Sequence, residues 1–179
     1  NMNLNNFTIK SQESIQRAQQ LAFDNQNPAI ETGHILKAIM EENEDTIDYL
    51  LKKNDVNISF LQNKLNEQLQ RYPKISGSEG GQTLGRDTNN ALLRASSTIK
   101  EFKDEFVSVE HLLLGLLSGN DDTAKLLKDG GLTEKGLKAA ITELRKGSKV
   151  NSQTAETQYN ALQKYAKNLN ELASAGKLD

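Results

Sequence analysis

The chain has 179 residues, with 22 Lys and Arg against 24 Asp and Glu and no cysteine. A net charge of −2 without a basic stripe gives no electrostatic basis for binding nucleic acid or an anionic membrane. With no cysteine there is no disulfide framework or thiolate chemistry, which fits a reducing cytoplasm. The longest apolar stretch, around Leu112–Leu117, is too short to span a bilayer, and no secretory signal is visible at the start.

The first predicted helix carries Ile15, Ala18 and Ala22 at helical spacing, which places them on one face. Then comes Ala29-Ile30-Glu31-Thr32-Gly33-His34-Ile35-Leu36-Lys37-Ala38-Ile39, from which a second helix is expected over about His34 to Glu41. Asp45 reads as the N-cap of a short third helix bearing Tyr49, Leu50 and Leu51, because a carboxylate accepts from free first-turn amides. Asn54-Asp55 suits a left-handed terminator. Asn57 caps a fourth helix with the stripe Ile58, Leu61, Leu65, Leu69. A turn-rich connector over 73–85 includes Ser-Gly-Ser-Glu-Gly-Gly.

The pattern then returns. Leu92, Ala95 and Ile99 repeat the first stripe, and Phe102 extends it. Phe106-Val107-Ser108-Val109-Glu110-His111-Leu112-Leu113-Leu114-Gly115-Leu116 repeats the second-helix segment, with His34 and His111 77 positions apart. The second copy of that helix, from about Glu110 to Leu117, is apolar almost all round and should be buried centrally. Asp122 matches Asp45 as a cap. The offset then becomes 76, so that Gly130-Gly131 matches Asn54-Asp55 and Thr133 matches Asn57. The last stripe is Leu137, Ala140, Ile141, Leu144. The expectation is all-α: two tandem pseudo-symmetric four-helix repeats, over about 7–72 and 86–147. A polar linker follows from Gly147 to Thr154, read as a flexible tether. A ninth amphipathic helix with Tyr159, Leu162, Ala166, Leu169 and Ala173 completes the chain.

No assembled chemical site emerges. The Gly-rich connector lacks the Gly-x-x-x-x-Gly-Lys-Ser/Thr of a phosphate loop. Glu31-x-x-His34 has the spacing of a di-metal helix motif, but the second copy offers only adjacent Glu110-His111. No serine sits in a Gly-x-Ser-x-Gly elbow. The plain reading is that both histidines start buried helices and bond to nearby backbone or carboxylate groups.

Val107-Ser108-Val109-Glu110-His111-Leu112-Leu113-Leu114-Gly115-Leu116-Leu117 resembles the helix-two signature of the Clp N-terminal repeat. The repeat alone leaves the ClpA, ClpC and ClpB branches open. The tail strings Ala161-Leu162-Gln163-Lys164-Tyr165 and Asn168 to Asp179, ending Gly-Lys-Leu-Asp, are similar to the segment leading into the first ATPase module of the ClpB branch. That resemblance implies a Clp N-terminal domain over 2–147, then over 148–179 a linker and the first helix of a following ATPase module. It implies a hexameric disaggregase that threads unfolded or aggregated clients and works with a DnaK-type chaperone system. ATP and magnesium would belong to the full-length parent, with no cofactor in this domain, which is itself expected to be a non-enzymatic monomer.

The same resemblance implicates Thr8, Asp104 and Glu110 in substrate handling. It also implies a shallow groove flanking them, here lined by the polar Arg94, Thr98 and His111 with Leu93 and Leu112 beside them. Helix capping is the structural alternative for Thr8 and Glu110. Asn27 and Gly33 stand at the places of Asp104 and Glu110 in the first copy, so the scaffold does not demand those charges. Two rivals stay open: an adaptor-docking platform of the ClpA and ClpC kind, and a purely structural role in steadying a hexamer.

Overall fold

The computed structural model describes residues 3–76 and 82–157. The ninth segment, with its stripe from Tyr159 to Ala173, lies outside these. The described residues form α1 (Ile9–Asp24), β1 (Ala29–Ile30), α2 (Thr32–Glu42), α3 (Glu44–Lys53), α4 (Ile58–Arg71), β2 (Thr83–Leu84), α5 (Arg86–Thr98), α6 (Val109–Leu117), α7 (Asp122–Asp129) and α8 (Glu134–Arg145). This is the expected pair of four-helix repeats.

Local chemistry sets most helix ends. Asn57 and Thr133 cap α4 and α8 by accepting from the Phe60 and Gly136 amides. The left-handed terminators fall on the second residue of each matched pair, Asp55 with φ 57° and Gly131 with φ 104°. Gln26 and Lys103, 77 positions apart, both take positive φ as well. The third helices differ from expectation. Asn43, the single residue between α2 and α3, is the cap position there, and Asp45 lies in the first turn. In the second copy Asp121 is the cap, accepting from the Ala124 amide at 3.0 Å, and Asp122 begins the helix. Both aspartates still favour the positive helix end.

α2 and α6 are the buried axis. All nine residues of α6, including Glu110 and His111, are buried. α2 packs on α6, a contact that is its own symmetric partner, and the α3 contact with α8 is matched by that of α4 with α7. Gly115 permits close approach of α5: a Cβ there would meet the Ala91 carbonyl oxygen at 2.3 Å.

The repeats also exchange extended segments. Ala29 and Ile30 of the first pair in parallel with Thr83 and Leu84 at the entrance to the second. Reciprocally, Val107 of the second bridges to Phe7 at the entrance to the first. The Gly85 amide donates to the Ile30 carbonyl and the Thr8 amide to the Val107 carbonyl, each at 3.0 Å. Thr88 Oγ1 and Ser11 Oγ donate to the same two carbonyls at 2.7 and 2.9 Å.

After α8, Lys146 and Gly147 adopt successive left-handed conformations and turn the chain back. Residues 148–157 then pack on the second repeat and against the start of α1, which corrects the reading of a free tether from Gly147 to Thr154. Val150 is fully buried, its amide donates to Asp104 Oδ1 at 2.9 Å, and its carbonyl accepts from Glu105 and Phe106. Apolar burial and satisfied backbone groups hold this segment in place.

Candidate functional site

The residues singled out in the sequence separate into a buried group and a surface group. Thr8, Asp104, Glu110, His111 and Leu112 are all buried, and Glu110 and His111 expose nothing. His111 and Leu112 therefore do not line a surface groove. They belong to the all-round buried helix α6, whose every face meets another element. On α5, Leu93 is 54% exposed, with Arg94 and Thr98 partly exposed beside it.

The buried group is a charged network. Arg145 sits at its centre, and its Nη1 donates to both Asp104 oxygens at 3.0 and 2.9 Å. Its Nε donates to Glu110 Oε2 at 2.9 Å. The guanidinium carbon lies 5.8 Å from the Phe102 ring centroid, a cation–π distance. Ser108 Oγ donates to Glu110 Oε2 at 3.0 Å. Burial works against the Asp104 carboxylate, but His111, the Val150 amide and Arg145 outweigh it and hold its pKa below the usual value.

Each histidine closes the capping box of its own helix. The Ser108 amide donates to His111 Nδ1 at 2.8 Å, and the Glu31 amide to His34 Nδ1 at 2.9 Å. Nδ1 as acceptor leaves the proton on Nε2. That nitrogen faces Asp104 Oδ2 at 2.9 Å in the second repeat and Asn27 Oδ1 at 2.8 Å in the first. Burial pushes the His34 imidazole down to about 4. Both ring nitrogens of each histidine are thus engaged inside the fold, as the plain reading of the sequence has it.

The first repeat places uncharged residues at the three positions that carry the buried charges of the second. Asn27 replaces Asp104, Leu69 replaces Arg145, and Gly33 replaces Glu110. Tyr72 Oη fills the space that Gly33 leaves and accepts from its amide at 3.2 Å. Gln68 Nε2 reaches both Tyr72 Oη at 2.9 Å and Thr123 Oγ1 at 2.8 Å.

Sequence reasoning missed three members of the charged network: Arg145, Ser108 and Glu156. Glu156 Oε2 accepts from the Val109 amide at 2.9 Å, at the start of α6. Arg145 was detectable, because an offset of 76 sets it against Leu69 in an apolar stripe. Glu156 has no counterpart in the first copy, so the repeat gives no signal for it.

On the surface side, Arg94 is less free than its charge suggests. Its Nε donates to the Gly115 carbonyl at 3.0 Å, near the C-terminal end of α6, where a cation complements the helix dipole. Thr98 Oγ1 turns back to the Ala95 carbonyl at 2.7 Å. Leu93 is the large hydrophobic residue that α5 leaves exposed.

Paired four-helix repeats with exchanged strands define a Clp-type N-terminal domain. Residues 6–130 match the Clp repeat (R) N-terminal domain, and the chain belongs to that family. It is 46% identical over 178 residues to the chaperone protein ClpB of Bacteroides thetaiotaomicron and 44% identical to that of Porphyromonas gingivalis, each match covering 99% of this chain. The chain spans about a fifth of the length of these relatives, 20% of each. Among solved structures, the Hsp104 N-terminal domain of Candida albicans superposes with a TM-score of 0.73 over 84% of this chain and 98% of that one, at 22% identity. The N-terminal domain of ClpD from Arabidopsis thaliana gives a TM-score of 0.61 over 82% of this chain and 98% of its own, at 20% identity. Both likenesses are of fold.

Proposed function

We propose that this chain is the client-engaging N-terminal domain of a ClpB-type, ATP-driven disaggregase of the cytoplasm, and that it binds exposed apolar segments of unfolded protein weakly. The observation that carries this reading is Leu93, an outward leucine at 54% exposure on a helix whose inner face is locked onto α6. Similarity to ClpB chaperones along 99% of the chain supports the assignment of the parent. In this reading Leu93, Arg94 and Thr98 meet the client. Thr8, Asp104, Glu110, His111 and Leu112 act through the buried network that sets the position of α5 and α6.

Weak capture suits a domain that must release its client for threading. Six copies on one hexamer would raise the effective concentration and recover avidity without new contacts. ATP and magnesium would be bound by the ATPase modules, and a DnaK-type system would cooperate with those parts of the parent. Arg94, already committed to the Gly115 carbonyl, gives the adaptor-docking alternative one charge fewer to use.

Titration of the 15N-labelled chain with a reduced, carboxymethylated model protein tests the reading. Fast-exchange shifts at Leu93, Arg94 and Thr98, abolished by Leu93→Asp with an unchanged melting temperature, are expected. Shifts confined to the α3 and α4 face would overturn it.

A further inference from the structure

The segment that follows the second repeat is held at few points. Val150, Ala155 and Glu156 are buried, whereas Lys149, Asn151, Thr154 and Thr157 are exposed. The segment's polar attachment runs through three residues: Val150, which bonds to Asp104, Glu105 and Phe106, Gln153, which accepts from the Ile9 amide and donates to the Asn5 carbonyl, and Glu156. The turn that starts it is open: nothing lies within 4 Å of where a Cβ on Gly147 would stand.

Glu156 is an unusual anchor. It is 1% exposed and lies beside a network in which Arg145 already faces two carboxylates, Asp104 and Glu110. Glu156 Oε2 accepts from the Val109 amide, while its Oε1 is buried with no hydrogen-bond partner among the described residues. Burial, and then the Glu110 charge on α6, raise its pKa, against weaker opposing effects of Thr8 and the Val109 amide and of Lys10 on α1. An ionised third carboxylate would be buried beside a like charge, a cost that the Lys10 charge offsets only weakly. A neutral carboxyl keeps the Val109 bond and avoids that repulsion.

We infer that residues 148–157 form a proton-controlled latch, in which neutral Glu156 docks the segment on the second repeat and its ionisation releases it. Release frees ten residues, which lengthens the reach of the domain from whatever follows by up to about 33 Å when extended. The sign follows from linkage. A carboxyl whose pKa is higher docked than undocked favours docking at low pH. The docking constant falls by up to tenfold per pH unit between the ordinary carboxylate value and the docked value of about 8, and is flat above it. Acidification tightens the latch and alkalinisation loosens it.

Two measurements on this chain test the latch. A 13C titration of the Glu156 side-chain carboxyl should give a midpoint near neutrality or above; a midpoint in the usual carboxylate range would overturn the proposal. Amide exchange, corrected for the intrinsic rate, should show protection at Ile9, Glu105 and Val109 falling from pH 6 to pH 9, while Leu92 in the core stays constant. Glu156→Gln, a neutral isostere, should hold those three amides protected across the range. Equal pH dependence in both proteins would overturn the proposal as well.

Discussion

Arg145 and Leu69 occupy the same place on the fourth helix of their repeats, and that exchange separates a charged interior from a neutral one. The Leu69 side chain lies beside Gly33, and its carbonyl accepts from the Asn25 side chain and the Tyr72 amide. Around Arg145 the neighbours are Asp104, Ser108 and Glu110. The order of helices is the same in both repeats, so the polarity of each interior follows from a few side chains at matched places.

Arg145→Leu gives the second repeat the first repeat's residue but leaves Asp104 and Glu110 buried without their cation. The expected loss is about 3–5 kcal/mol of unfolding free energy, measured by urea titration at pH 7. Combining it with Asp104→Asn and Glu110→Gln should recover at least half of that loss, because no ionised group is then stranded.

Gly33→Ala places a Cβ 2.6 Å from Tyr72 Oη and 3.0 Å from Gln68 Nε2. Overpacking of this kind costs about 1–3 kcal/mol. Tyr72→Phe in the same chain removes the clashing oxygen and should return part of the cost, visible as a non-zero coupling in a double-mutant cycle.

Gly115→Ala should be costly too, about 1–3 kcal/mol, because its Cβ meets backbone of α5 rather than a movable side-chain end. Ala38 stands at the matching place in the first repeat, fully buried. The reverse change, Ala38→Gly, should cost less, about 1 kcal/mol from helix propensity, by thermal or chemical denaturation.

His34 gives a pH signature. Its folded pKa of about 4 lies below the usual imidazole value of 6.5. The folded state therefore binds the proton less well than the unfolded one. The contribution of His34 is fully present above pH 6.5 and is lost as pH falls toward 4, at up to about 1.4 kcal/mol per unit. Proton NMR of the imidazole should show no titration of His34 between pH 8 and 5.5; a midpoint near 6.5 would refute the assignment.

The candidate client surface was legible in outline only. Leu93, Arg94 and Thr98 entered through the family resemblance, and the structure leaves Leu93 exposed and Arg94 and Thr98 partly exposed on α5. His111 and Leu112 were placed beside them by the same resemblance, although the all-round apolar pattern of α6 already pointed to burial. Thr8 showed its capping role directly, with its hydroxyl accepting from the Ser11 amide at 3.1 Å.

The sequence by itself determined the two-fold repeat, the eight helices and most of their ends, because caps, terminators and apolar stripes act within a few residues. Tertiary structure alone decided how the halves interlock. The strand exchange rests on partners far apart in the chain, such as Ser11 Oγ and the Val107 carbonyl 96 positions away. It decided too that Arg145 gathers Asp104 and Glu110, and that residues 148–157 turn back onto the domain. Those outcomes depend on which buried polar groups find a partner, and that is fixed only when distant segments are packed together.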